Sequence, residues 1–189
     1  VKNPPNWTYT TTSGGTLDTN YGTFSAGPSS NTDRAFGQVS SNTTDPTALP
    51  KSLGAAFTNN TGSVIEQLQI MYNGEQWRVG GSAETDRIDF EYSTDATSLS
   101  NGTWIPVTDL GFSSIVTAGG PAGLDGNTNR VTKTATISGL SIAETGTFWI
   151  RWTDFDVAGA DDLLAIDDFV IAAETVTSVL TVAKLGVPE

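Results

Sequence analysis

The chain has 189 residues, with 21 Asp and Glu against 9 Lys and Arg, a net charge of −12, and neither His nor Cys. Without Cys there are no disulfides, thiolate nucleophiles or Cys-ligated metal centres, and without His there is no imidazole metal site and no Ser-His-Asp triad. Oxygen remains as the metal-ligating atom, which suits calcium or magnesium, and the acidity argues against a nucleic-acid partner, whose phosphates bind mainly to Lys and Arg.

The length suits a single domain. The spacing of turn residues predicts early strands at Trp7–Thr12, Tyr21–Ser25, Arg34–Ser40 and Ser52–Asn59. Ser63–Asn73 follows with a period of two, placing Leu68, Ile70 and Tyr72 on one face and Gln67, Gln69 and Met71 on the other. Asn73-Gly74 then reads as a hairpin turn, with Glu75–Gly80 returning. Arg87–Ser93 alternates Ile88, Phe90 and Tyr92 against Asp89 and Glu91. Thr103–Val107, Arg130–Ile137, Thr147–Thr153 and Leu163–Ala172 complete the strands, and Gly111–Arg130 reads as a long Gly-rich loop. Single helical turns are conceivable at Thr94–Leu99 and Ser141–Thr145, but no amphipathic helix of ten residues is found. Many short strands without crossover helices imply an all-β fold, an antiparallel β-sandwich of jelly-roll type. Residues 1–173 are expected to form that one domain, and 174–189 an edge strand or linker. No apolar run is long enough to span a membrane, and no signal peptide opens the sequence.

Three stretches carry candidate chemistry. Thr153–Asp168 holds Asp154, Asp156, Asp161, Asp162, Asp167 and Asp168. Carboxylates packed this closely repel unless a cation or arginines neutralise them. Asp154, Asp156, Asp161, Asp162 and Asp167 are therefore candidate calcium ligands, although the spacing is not that of an EF-hand. The alternative is a solvated acidic turn, with Asp167 or Asp168 paired to Arg34, Arg78, Arg130 or Arg151. Simple alternation puts Ala165, Asp167, Phe169 and Ile171 on one face, and Ile166, Asp168 and Val170 on the other.

In Tyr72–Arg78, the sugar-binding candidates Trp77 and Arg78 point to opposite faces. An exposed Trp offers a flat apolar platform for the C–H face of a sugar ring, and a buried one is core. Trp149 and Trp152 likewise oppose each other, so one is expected inside and the other is a second sugar-binding candidate, Trp149. In Leu124–Arg130, Asp125 and Asn127 present oxygens that suit sugar hydroxyls or calcium, and also suit a plain turn. Many carboxylates are available for glycoside hydrolysis, but none stands in a recognisable catalytic motif.

The strings GAAFTNNTG, MYNGEQWR, DRIDFEYSTDATSL, GTW, LDGN and FWIRWTDFDVAGADDLLAIDDFVI resemble a β-sandwich module of secreted bacterial proteins, found also beside extracellular hydrolases. AIDDFVI is similar to the last strand of galactose-binding-like jelly rolls, in which calcium is frequent. The terminal Val187-Pro188-Glu189 resembles the start of a PEP-CTERM sorting signal. The resemblance implies a secreted or surface-matrix protein of a bacterium. Together with the aromatic hairpins it gives the expected function: a non-catalytic carbohydrate-binding module that recognises a polysaccharide and carries structural calcium. The alternatives are an adhesive surface protein without a sugar site, and a polysaccharide hydrolase or lyase.

Overall fold

The computed structural model describes residues 7–9, 22–27, 33–40, 50–81 and 85–175. In chain order the strands among them are β1 (Trp7–Tyr9), β2 (Gly22–Ala26), β3 (Ala35–Val39), β4 (Lys51–Thr58), β5 (Ile65–Val79) and β6 (Arg87–Ser93). They continue with β7 (Ile105–Pro106), β8 (Phe112–Ser113), β9 (Ala122–Gly123), β10 (Arg130–Ile142), β11 (Thr147–Asp154) and β12 (Leu163–Thr175). One sheet runs β1-β4-β11-β6-β7 with β8 also on β6, and the other runs β10-β5-β12-β3-β2 with β9 also on β5. The strand pairs are antiparallel, and β3, β4, β5, β6, β10, β11 and β12 alternate between the sheets, the jelly-roll pattern the sequence predicts.

The inner faces meet in one core. Leu53, Ile88, Phe90, Ile150 and Trp152 come from the first sheet, and Leu68, Ile70, Tyr72, Leu164 and Ile166 from the second. Trp152 is its centre, edge-on to Tyr72 with ring centroids 5.3 Å apart and to Phe90 at 5.1 Å. Such contacts add about 0.5–1.5 kcal/mol each beyond the area they bury. The Tyr72 hydroxyl donates to the Leu110 carbonyl, and burial pushes its pKa well above the usual phenol value. Trp152 is thus the inward member of its pair, and Trp149 stands half-buried on the other face of β11.

Three expectations need correction. Asn73-Gly74 is no turn: β5 runs unbroken through it. A Cβ on Gly74 would lie 2.7 Å from the Phe112 ring, so glycine is there to let that ring lie against the strand. The Asn73 side chain is held across both neighbouring strands, donating to Asp168 Oδ2 at 2.8 Å and accepting from Thr132 Oγ1 at 2.8 Å. The strand expected at Thr103–Val107 shrinks to Ile105–Pro106, where a proline without an N–H donor limits the edge.

The third correction concerns β12. Its pairing with β5 slips between Asp167 and Val170, and Asp168 takes a left-handed φ of 51°. This bulge reverses the alternation. Leu164, Ile166, Phe169 and Ile171 all pack on the core, whereas Leu163 and Ala165 face outward. The boundary expected at residue 173 falls inside β12, and the Val187-Pro188-Glu189 end lies outside the described residues.

Candidate functional site

The outward face of β5, β12, β3 and β2 carries a second, smaller apolar cluster of Ala26, Ala35, Val39, Trp77, Leu163 and Ala165, with Phe24 packed against it. Small residues make a hollow here. Gly37 stands opposite both Ala165 and Phe24 in register, and a Cβ on it would lie 2.7 Å from the Ala165 Cβ. Beside this hollow lies a cleft of about 530 Å³, lined by Trp77, Leu163 and Phe24, by Ser25, Ala26, Gly27 and Arg34 on one side, and by Gly123, Leu124 and Asp125 on the other. An apolar floor with a few polar groups at its rim is the usual make-up of a small-molecule site.

Each wall is fixed by its own hydrogen bonds. Arg34 donates from Nε to Ser25 Oγ at 3.0 Å, and from its terminal nitrogens to the Gly27 and Ser25 carbonyls. Opposite, Asp125 Oδ1 accepts from the Asn127 backbone N–H at 3.1 Å, and the Asp125 carbonyl accepts from Thr128 and Asn129. That turn is laid on the indole: a Cβ on Gly126 would lie 2.2 Å from Trp77 ring atoms. The Leu124 N–H also donates to the Trp77 carbonyl at 2.9 Å. Trp77 is in consequence only 8% exposed and offers the cleft a part of its ring, not an open platform.

Beside Trp77 on the same face of β5, and opposite Ala165 in register, sits Glu75, fully buried. Its Oε2 accepts the Trp77 Nε1–H at 2.8 Å, and its Oε1 has no hydrogen-bond partner among the described residues. Burial drives its pKa up to about 7; the Trp77 bond opposes this, Asp167 and Asp33 add to it, and Arg130 opposes it. Burial also raises the pKa of Asp167, with Asp168 and Asp33 adding to the effect.

Of the expected sugar-binding residues, the structure joins Trp77 and Asp125 at one cleft. Asn127 belongs to the Asp125 turn but is not a lining residue. Arg78 is engaged elsewhere, donating from Nη1 to the Asp161 carbonyl at 2.9 Å. Trp149 stands on the outer face of the opposite sheet, because it alternates with the inward Phe148, Ile150 and Trp152. There its neighbour Arg151 pairs with Glu91 at 2.7 Å and lies 4.0 Å over the Trp104 ring. Phe24, Ser25 and Arg34 were missed as cleft residues, since nothing in the sequence sets them opposite Asp125.

The five expected calcium ligands are not gathered. Asp156 is half-buried in the hairpin loop, and Asp167 lies on the cleft-side sheet, where its Oδ1 accepts from the Asp168 N–H. Asp162 is buried and saturated by protein donors: Gly80 N–H at 2.7 Å on Oδ1, and Gln76 Nε2 at 2.8 Å and Ser114 Oγ on Oδ2. Asp154 and Asp161 are buried too, with Asp86, which the sequence did not single out, close enough to raise the Asp154 pKa. Burial is the main cause of that rise, Asp86 and Asp161 add to it, and the Ser40 N–H and Lys51 oppose it. Among the described residues no three acidic side chains converge as metal ligands do. At Asp162 the physical reason is competition: N–H groups and the Ser114 hydroxyl already occupy the oxygens that a cation would need.

No family profile matches the sequence, and no curated protein matches it. Solved structures are similar in fold. A bacteriophage CBA120 tailspike protein 4 enzymatically active domain gives a TM-score of 0.45 at 10% identity over 90% of this chain, which spans 20% of that one. TmCBM61 in complex with β-1,4-galactotriose gives 0.43 at 17% identity, covering 92% of this chain and 97% of that one. A CBM35 from Paenibacillus barcinonensis gives 0.36 at 11% identity, covering 86% and 92%. With scores this low, the functional reading rests on the cleft's own geometry.

Proposed function

We propose that the chain is a non-catalytic binding module for a neutral polysaccharide, held in the cleft between Arg34 and Asp125. The observation that supports this is the cleft itself, with an aromatic and aliphatic floor of Trp77, Phe24 and Leu163 under a rim of Ser25, Arg34 and Asp125. Sugar rings are amphipathic in the same sense: C–H faces suit an indole, and hydroxyls suit carboxylate and guanidinium groups. The rim carries one charge of each sign, and the chain as a whole is strongly acidic, so a neutral glycan is preferred over an anionic one. Glu75 is buried and does not line the cleft, so the reading gives it no role as a general acid.

The test is affinity electrophoresis and calorimetry against neutral glucans, mannans and galactans. A blocking variant is at hand in Gly123→Trp. Gly123 lines the cleft, is exposed, and a Cβ there meets nothing within 4 Å. Binding by the wild type that disappears in G123W, with the melting temperature unchanged, supports the reading. Binding that survives G123W places the sugar elsewhere.

Calcium is a second and separable reading, for the buried Asp86, Asp154 and Asp161, which outnumber the one Lys51 among them. A cation would have to draw these carboxylates together, and would then stabilise the fold by mass action. A melting temperature that rises with calcium and falls with chelator supports it; one indifferent to both removes it.

A further inference from the structure

The residues that touch the cleft leave one group unexplained: a fully buried carboxylate with one oxygen on the Trp77 indole N–H and the other without a hydrogen bond. Apolar packing alone does not call for a carboxylate under an indole, and Gln in its place would supply the same acceptor without the charge. An ionised carboxylate in such a position is held at a penalty, since a single donor does not replace its hydration.

We propose that Glu75 is a pH-responsive positioning residue for the cleft: it fixes the Trp77 ring, and its charge state sets how firmly the floor is packed. This rests on the cleft being the ligand site. The groups acting on Glu75 come from every side of it. On β12 Asp167 repels its charge, Asp33 just before β3 repels it, and Arg130, its register partner on β10, attracts it. Burial is the main cause that tips Glu75 toward holding a proton, and these neighbouring charges only adjust it.

With the proton on, Trp77, Leu163, Ala26, Ala35, Val39 and Ala165 stay a dry cluster, and the floor is intact. When the proton leaves, the uncompensated oxygen draws water toward the cluster and loosens the floor. Ligand affinity therefore falls as pH rises through about 7, where the Glu75 pKa lies. If the ligand takes the protonated form alone, the fall approaches about tenfold per pH unit, the limit for one linked proton.

The test has two readouts. The first needs no ligand: nitrogen-15 spectra of the indole N–H groups between pH 5 and 9, with the Trp77 resonance assigned by Trp77→Phe. The expected result is that this resonance titrates near pH 7 in the wild type and is flat in Glu75→Gln, which keeps the acceptor. The second is the affinity for soluble galactan and β-glucan, expected to fall by about tenfold between pH 6 and 8 in the wild type and to hold at its pH 6 level in E75Q. An indole resonance that does not move, or that moves equally in E75Q, overturns the proposal. So does an affinity whose pH dependence survives E75Q. If neither glycan binds at any pH, the polysaccharide reading is what fails, and the indole titration still judges Glu75 by itself.

Discussion

Replacing Asp162 with Ala is the sharpest test of what holds the loop-rich end of the sandwich. Its carboxylate accepts from Gly80, from Gln76 on β5 and from Ser114 after β8, and its own N–H donates to Asp86 Oδ2. The stretch 76–86 and residue 114, both far from it in sequence, thus meet on one buried residue. D162A leaves the Gly80 N–H without that acceptor, at about 1–3 kcal/mol for a buried donor. Gln76 Nε2 keeps the Val116 carbonyl at 2.9 Å, and Ser114 Oγ keeps the Asp86 carbonyl at 3.4 Å, so those two losses are smaller, about 0.5 kcal/mol each. The total is about 3 kcal/mol. With a urea m-value of about 2 kcal/mol/M, the unfolding midpoint drops by about 1.5 M with m unchanged. D162N keeps one acceptor oxygen and is expected to lose about half as much. A D162A midpoint within about 0.3 M of the wild type, measured in chelator, would refute the idea that these hydrogen bonds knit the end together.

Three further outcomes follow from particular contacts. Gly126→Ala drives a methyl into the Trp77 ring and is expected to destabilise the fold by about 1–3 kcal/mol, with a change in tryptophan fluorescence that marks the displaced indole. Gly74→Ala already sets its Cβ 2.7 Å from the Phe112 ring and should lower the urea midpoint, Gly74→Val should lower it further, and Phe112→Ala in the same chain should relieve part of the penalty, which it would not do for a hairpin glycine. Arg151→Lys keeps a charge near Glu91 but gives up the planar stack on Trp104 and the bond to the Leu99 carbonyl, so hydrogen exchange around residues 99–104 should speed up while the melting temperature moves little.

The strands were legible because one face of each is buried and the period-two signal is then strong. Leu68, Ile70 and Tyr72 stand inside, and Ile88 and Phe90 likewise. Asn73-Gly74 misled because local turn propensity says nothing of a ring arriving from residue 112; tertiary packing overrode it. The bulge at Asp168 was invisible for a similar reason, since Asp-Asp-Phe-Val reads as plain alternation until the register with β5 is known. Half of the cleft was foreseeable. Trp77 and the Asp125 turn both carried signals, and only the pairing of β5 with β9 brings them together. The Arg34 wall carried none. The acidic run reads as costly charge, but the relief of Asp162 by N–H donors from residues 76 and 80 and by the Ser114 hydroxyl requires long-range contacts that spacing does not encode.

The Asp168 bulge has a consequence for how this fold tolerates change. It works as a phase shifter, letting β12 present Leu163 and Ala165 to the cleft and then Phe169 and Ile171 to the core without changing sheets. The two halves of the strand are thereby tuned independently. Substitution at 163 or 165 reshapes the binding face with no demand on the parity of 169–175. Loss of a single residue at 167 or 168 takes out only the extra residue and leaves Phe169 and Ile171 facing the core on a plain ladder, whereas gain of one residue there would turn them to solvent, so this point accepts a shorter strand more readily than a longer one.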